Sequence, residues 1–200
     1  MLNNPGVRGV VAGIIEPPAR LLLKLRISPD AVTVGGTIAV IAISLSCLPT
    51  GRFLLAFGLL FIVGFSDLLD GTMARLAGRS GPWGNFLDAT CDRLADGAVF
   101  AGLALYGANQ QDPWITGGAL AALVAGQVVS YAKARAEAVG ATANVGIAER
   151  AERLIIAALA VLLTGFGVPY VLPIAMWIIG VLGLVTVIQR IVHVRGQLSP

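Results

Sequence analysis

Long apolar runs alternate with short charged clusters along this chain. Six runs stand out, at about 31–48, 53–76, 84–107, 114–134, 152–166 and 170–192. They are rich in Leu, Ala, Ile and Val and show no period of two, so each predicts a helix rather than a barrel strand. A helix that crosses a bilayer needs about 20 mostly apolar residues. Segments two and three reach that length only by running through polar sequence, because their uncharged parts are just Phe53–Ser66 and Ala98–Gly107. The GRSGPW stretch, with Gly78, Gly81 and Pro82, turns the chain between them. Ser28-Pro29 reads as the cap and first residue of segment one. Upstream, Pro17-Pro18 is expected to break the chain, and ARLLLKLR at 19–26 suits a short helix lying in the membrane interface. The expected fold is an all-α membrane protein: six transmembrane helices with an N-terminal interfacial amphipathic helix. One domain is expected over 1–200, with 1–28 the interfacial segment and 29–195 the six-helix bundle.

Composition agrees with the pattern. Of the 200 residues 56% are hydrophobic and 12% charged, against about 25% charged in a soluble domain. The N-terminal stretch lacks the basic, apolar and small-residue order of a cleavable signal. Cys47 and Cys91 fall in different segments and suggest neither a disulfide framework nor a zinc site. The placement of charge is more telling than its total of +3. Thirteen of the 14 basic residues flank one set of alternate helix ends, and only Arg52 lies on the other side. Ten of the 11 acidic residues fall with them, Asp112 being the exception. The positive-inside rule makes the charged side, and both termini, cytoplasmic.

The densest charge lies where a membrane helix should be apolar, in DLLDGTMARLAGRSGPWGNFLDATCD at 67–92. Carboxylates at membrane depth cost several kcal/mol unless paired, hydrated or bound to metal. Asp67, Asp70, Gly71 and Ala74 share one helical face, and so do Gly84, Asp88 and Asp92. Two antiparallel helices would thus present two carboxylates each to a common cleft. Oxygen-only ligands point to magnesium, manganese or calcium rather than zinc. Gly71, Ala74 and Gly84 leave room for a bulky group, and Arg75 is placed to meet a phosphate. Simple pairing of the acids with Arg75, Arg79 and Arg93 would leave the small residues unexplained.

These residues match Asp-x-x-Asp-Gly-x-x-Ala-Arg, eight residues, then Gly-x-x-x-Asp-x-x-x-Asp. In every position and spacing the segment resembles the signature of the CDP-alcohol phosphotransferase family, and the six-helix topology resembles that family over essentially the whole chain. The resemblance implies a Mg2+-dependent transfer, with Mn2+ as a possible substitute. An alcohol attacks the lipid-side phosphorus of CDP-diacylglycerol and CMP leaves. It implies that Asp67, Asp70 and Asp88 bind metal, with Asp92 a further ligand and the general base. The nucleotide would be bound by Asp67, Asp70, Gly71, Ala74, Arg75, Gly84 and Thr33, the last at the entry to segment one. The family also implies a homodimer.

A second polar cluster bears on the acceptor. Segment four ends in SYAKARAEA, with Ser130, Lys133 and Arg135; segment five begins ERAERLI, with Arg150 and Arg153; Arg190 ends segment six. A neutral alcohol would not require so many cations, whereas phosphate oxygens match Arg and Lys. Positive-inside topology also puts cations here, and for Arg150 and Arg195 that explanation is preferred. The strings DATCDRLADGAVF, SYAKARAEA and ERAERLI resemble the actinobacterial branch of the family that uses inositol 1-phosphate. On that resemblance Ser130, Lys133, Arg135, Arg153 and Arg190 bind the acceptor phosphate. Glycerol 3-phosphate is the rival acceptor, being anionic as well. The loop VGATANVGI at 139–147 carries no basic residue. His193 reads as a surface residue, and Gly117, Gly118, Gly180 and Gly183 as helix-packing positions. A cation channel or carrier is the alternative of another class. It would need polar residues on both sides of the ion site, and the outer helix halves hold almost none.

Overall fold

The computed structural model describes the backbone of residues 5–64, 66–78 and 81–199, with side chains over 13, 15–64, 69–78 and 81–199. Among the described residues there are eight helices: α1 (Pro5–Lys24), α2 (Pro29–Cys47), α3 (Phe53–Gly64), α4 (Ser66–Leu76), α5 (Pro82–Asn109), α6 (Pro113–Ala138), α7 (Arg150–Gly165) and α8 (Val171–Leu198). No strand occurs among the described residues. Proline opens four of the helices, where its missing N–H costs nothing and its φ is already helical. At α6 the start is doubly fixed, because the Asp112 carboxylate accepts the N–H groups of Trp114 at 2.8 Å and Ile115 at 3.1 Å. At α2 the Ser28 hydroxyl accepts the Ala31 N–H at 3.2 Å.

One expectation fails. Pro17 and Pro18 lie inside α1, which runs unbroken from Pro5 to Lys24. Proline forfeits a backbone hydrogen bond and crowds the preceding turn, but its φ remains helical. Packing holds the helix together instead. Ile15 and Ala19, four residues apart, are buried, and α1 packs on α4.

Among the described residues four stretches are long and apolar enough to cross a membrane: Pro29–Cys47, Phe53–Leu76, Pro113–Ala138 and Val171–Leu198. Of the rest, α5 is long, 28 residues, but holds Asp88, Asp92, Arg93 and Asp96 between its first and middle turns, and α7 has 16 residues. The faces of these helices bear exposed Ile38, Phe61, Ile62, Val124, Ile188 and Ile191, as lipid contact requires.

The chain forms two compact units. One comprises Met1–Ala42 and Leu59–Ala95; the other comprises Ile43–Gly58 and Asp96–Pro200. In the first, besides α1 on α4, the Trp83 indole donates to Asp30 at 3.0 Å, tying the start of α5 to the start of α2. In the second, Leu48, Phe53, Leu103, Ala119, Ala160 and Met176 belong to one apolar core drawn from six segments. A close seam runs between α6 and α8. A Cβ added to Gly118 would lie 3.0 Å from the Met176 Cβ, one on Gly180 3.0 Å from the Ala121 Cβ, and one on Gly183 2.8 Å from the Ala125 Cβ. Helices in lipid gain little from hydrophobic burial, so close backbone packing through small residues is what joins them.

Candidate active site

The first unit carries the acidic motif. On α4 Asp70 is buried with Thr72 and Met73, so that turn faces inward. The Thr33 hydroxyl of α2 donates to Asp70 Oδ2 at 2.5 Å; the Pro29 carbonyl, at 3.2 Å, is the weaker competitor for its single proton. Thr33 is thus placed on the motif itself. Gly71 next to Asp70 is exposed, and a Cβ built there meets no atom within 4 Å; Gly84 on α5 has the same open surroundings. Ala74 is half-buried. Arg75 is exposed, and its Nη2 donates to the Thr72 hydroxyl at 3.1 Å. On α5 Asp88 is exposed, while Asp92 is half-buried with Oδ2 3.8 Å from Arg93 Nη2. The backbone of Asp67 lies in α4 one turn before Asp70, and its side chain is outside the described residues, as is all of Arg79.

Among the described residues, which leave out the Asp67 side chain, no three Asp, Glu, His or Cys side chains gather into a metal-binding group. The chemistry of the donors nonetheless fits a hard divalent cation. They are carboxylates without sulfur or imidazole, spaced by single helical turns on α4 and α5. Asp70 makes the case most directly. A hydroxyl donor satisfies a lone pair of this buried carboxylate and leaves its charge in place.

The second unit carries the basic cluster, built around one turn of α6. Ser130 donates to the Gly126 carbonyl at 3.2 Å. Arg153 of α7 is buried against that turn, its Nε 3.6 Å from where a Gly126 Cβ would stand. Arg190 of α8 is buried too and donates through Nη1 to the Val129 carbonyl. Lys133, half-buried, follows one turn after Ser130. Arg135 is exposed and five residues on, which turns it roughly 140° away around the helix. So the structure brings Ser130, Arg153 and Arg190 to one place, with Lys133 adjacent, and leaves Arg135 outside.

The two buried arginines also brace the segment before α7, which the sequence did not reveal. Arg153 Nη1 donates to the Ala148 carbonyl at 2.9 Å, and Arg190 Nε to the Val145 carbonyl at 3.0 Å. Arg190 Nη2 lies 3.8 Å from Glu149. The Thr186 hydroxyl accepts the Ala148 N–H at 3.1 Å, and the Gln197 amide meets both backbone groups of Thr142, at 2.9 and 2.7 Å. Gly146, at φ +144°, fits under Thr186, whose Cγ2 stands in the way of any Cβ at that position.

Sequence reasoning missed one ion pair. Arg150, read as a topological charge, is clamped to Asp96, with Nη2 at 3.1 Å from Oδ1 and Nε at 3.2 Å from Oδ2. The available signal was spacing, since Asp96 continues the Asp88, Asp92 line by another four residues. His193 is exposed, as expected, and Cys91 is buried.

An all-helical, membrane-type chain with this paired acidic motif defines a class. Residues 26–189 match the CDP-alcohol phosphatidyltransferase family, and the chain belongs to it. It is 45% identical to the phosphatidylinositol phosphate synthase of Streptomyces avermitilis, over 97% of this chain and 83% of the relative. With the synthase of that name from Corynebacterium glutamicum it shares 39% identity, over 90% and 83%. Among solved structures it resembles Mycobacterium tuberculosis phosphatidylinositol phosphate synthase with CDP-DAG bound, at TM-score 0.89, 39% identity and coverage of 92% and 94%. The same enzyme in complex with manganese and citrate gives 0.85, 40% identity and coverage of 89% and 87%.

Proposed function

We propose that this protein transfers the phosphatidyl group of CDP-diacylglycerol to inositol 1-phosphate, giving phosphatidylinositol phosphate and CMP, with Mg2+ or Mn2+ as cofactor. The observation that carries the reading is the buried Asp70, held by Thr33 beside the open Gly71, within a motif whose relatives bear the synthase name. Asp67, Asp70 and Asp88 would hold the metal, with Asp92 as a further ligand. When bound, the divalent cation neutralises the diphosphate and the charge developing on the leaving CMP. Gly71, Ala74 and Gly84 give the nucleotide its room, Arg75 meets phosphate, and Thr33 fixes the orientation of Asp70. Asp92 takes the proton of the attacking hydroxyl, which then forms the new bond to the lipid-side phosphorus as the bond to CMP breaks.

The acceptor phosphate is held by Ser130, Lys133, Arg153 and Arg190. Arg135, exposed and off that face, contributes long-range attraction at most. Six spans, counting α5 and α7, an interfacial α1, cytoplasmic termini and a cytoplasmic active site follow from the placement of the basic residues. We further propose that residues 1–200 act as a single membrane domain and that the protein works as a homodimer. Glycerol 3-phosphate would satisfy the same cations, so a panel of acceptors decides. Purified protein with CDP-diacylglycerol and Mg2+ should release CMP when inositol 1-phosphate is added, and much less with glycerol 3-phosphate, inositol or serine. Faster release with glycerol 3-phosphate would replace the acceptor; silence with all of them would overturn the transferase reading.

A further inference from the structure

Asp96 lies four residues past Asp92 on α5, where a further metal ligand would continue the motif. Its carboxylate is instead engaged by Arg150, 54 residues away in sequence. Arg150 Nε lies 3.3 and 3.2 Å from the two oxygens and Nη2 3.1 Å from one of them. The Asp96 side chain is only 11% exposed and that of Arg150 33%. Such a pair is poorly accounted for by stability alone, because desolvating two charges offsets most of their attraction. What a guanidinium fork on a carboxylate does supply is orientation.

The site of that orientation matters. Arg150 is the first residue of α7, and Glu149 before it makes no side-chain cap bond. The first turn of α7 is therefore tied to α5 by Arg150 on Asp96, while Arg153 ties it to the Ala148 carbonyl just before the helix. One turn after Arg150 stands Arg153, lying across Gly126 beside Ser130. A swing of the α7 start would carry the Arg153 guanidinium away from Ser130.

We propose that Asp96, acting through Arg150, is a positioning residue for the acceptor-phosphate pocket and sets where Arg153 meets the phosphate. The proposal rests on the acceptor reading above. The test uses full-length Asp96→Asn, Arg150→Gln, Arg150→Lys and the Asp96→Asn/Arg150→Gln double variant. Steady-state constants are measured for both substrates and for Mg2+ activation. Inositol 1-phosphate binding is followed separately, by calorimetry without CDP-diacylglycerol.

Each neutralising single variant should raise the acceptor KM and weaken acceptor binding about tenfold, leaving kcat and the CDP-diacylglycerol KM within about twofold. The double variant should be no worse than either single one, since both cut the same link. Arg150→Lys keeps the charge and loses the fork, so it should weaken acceptor binding too, and it serves where the neutral variants fail to fold. Unchanged acceptor constants in these variants, with an active wild type, overturn the proposal alone. A raised Mg2+ requirement with an unchanged acceptor KM also overturns it, making Asp96 part of the metal site. A wild type inert toward every phosphorylated acceptor overturns the acceptor reading and the proposal with it.

Discussion

Thr33→Val removes the hydroxyl that holds Asp70 while keeping the shape of the side chain. The bond is 2.5 Å long, and its acceptor is a carboxylate only 8% exposed. A hydrogen bond to a charged group contributes about 1.5–3 kcal/mol, and about 1.36 kcal/mol corresponds to a factor of ten in rate. If the bond acts fully in the transition state, kcat/KM for CDP-diacylglycerol falls roughly ten- to 150-fold. The loss should appear together with a raised Mg2+ requirement, because Asp70 no longer has a fixed rotamer from which to bind the ion. The acceptor KM should not move, since the Thr33 hydroxyl acts on Asp70 and not on an acceptor-binding group. The assay is CMP release over a matrix of Mg2+ and CDP-diacylglycerol concentrations at saturating acceptor, with Thr33→Ser as the variant that restores the hydroxyl. Wild-type rates and wild-type Mg2+ dependence in Thr33→Val would refute the claim that Thr33 organises the carboxylate motif.

Further outcomes follow from other parts of the structure. Asp92→Asn should abolish turnover while leaving CDP-diacylglycerol binding largely intact; retained turnover would remove Asp92 as the base. Lys133→Ala should raise the acceptor KM with little change in kcat, because it removes binding rather than chemistry, and a fall confined to kcat would contradict this. Gly183→Leu drives a side chain into Ala125, whose Cβ already lies 2.8 Å from a Cβ at that position. Overpacking of this kind costs about 1–3 kcal/mol, so thermal unfolding in detergent should shift down by several degrees, and an unshifted midpoint would contradict the close α6–α8 seam.

Most helix boundaries were legible because their signals are local. The segment expected at about 84–107 is α5 at Pro82–Asn109, and that at 152–166 is α7 at Arg150–Gly165. Errors grew where local signals mislead. The run at 114–134 continues to Ala138 and the last run, expected to end at 192, continues to Leu198. Charged residues end an apolar run without ending a helix, and Ala, Lys, Arg and Glu are good helix formers. The proline pair of α1 was misread because packing on α4 outweighed a local penalty. Of the site, the carboxylate spacing was plain from helical geometry. The role of Thr33 as a partner of Asp70 was only placed near the motif by resemblance. Contacts that join distant sequence were not legible at all, such as Arg150 to Asp96 or Arg190 to the Val145 carbonyl. An arginine near a helix end looks the same in sequence whether it faces water, braces a loop or binds phosphate.

The proposed reaction joins the lipid phosphorus to a phosphorylated inositol. The direct measurement supplies inositol 1-[32P]phosphate, CDP-diacylglycerol and Mg2+ to the purified protein, then separates lipid from water-soluble products. Label should enter the lipid fraction in step with CMP, one for one, and none should enter in the presence of a chelator. CMP release with the label left in the aqueous phase and phosphatidic acid as the lipid product would show hydrolysis instead and contradict it.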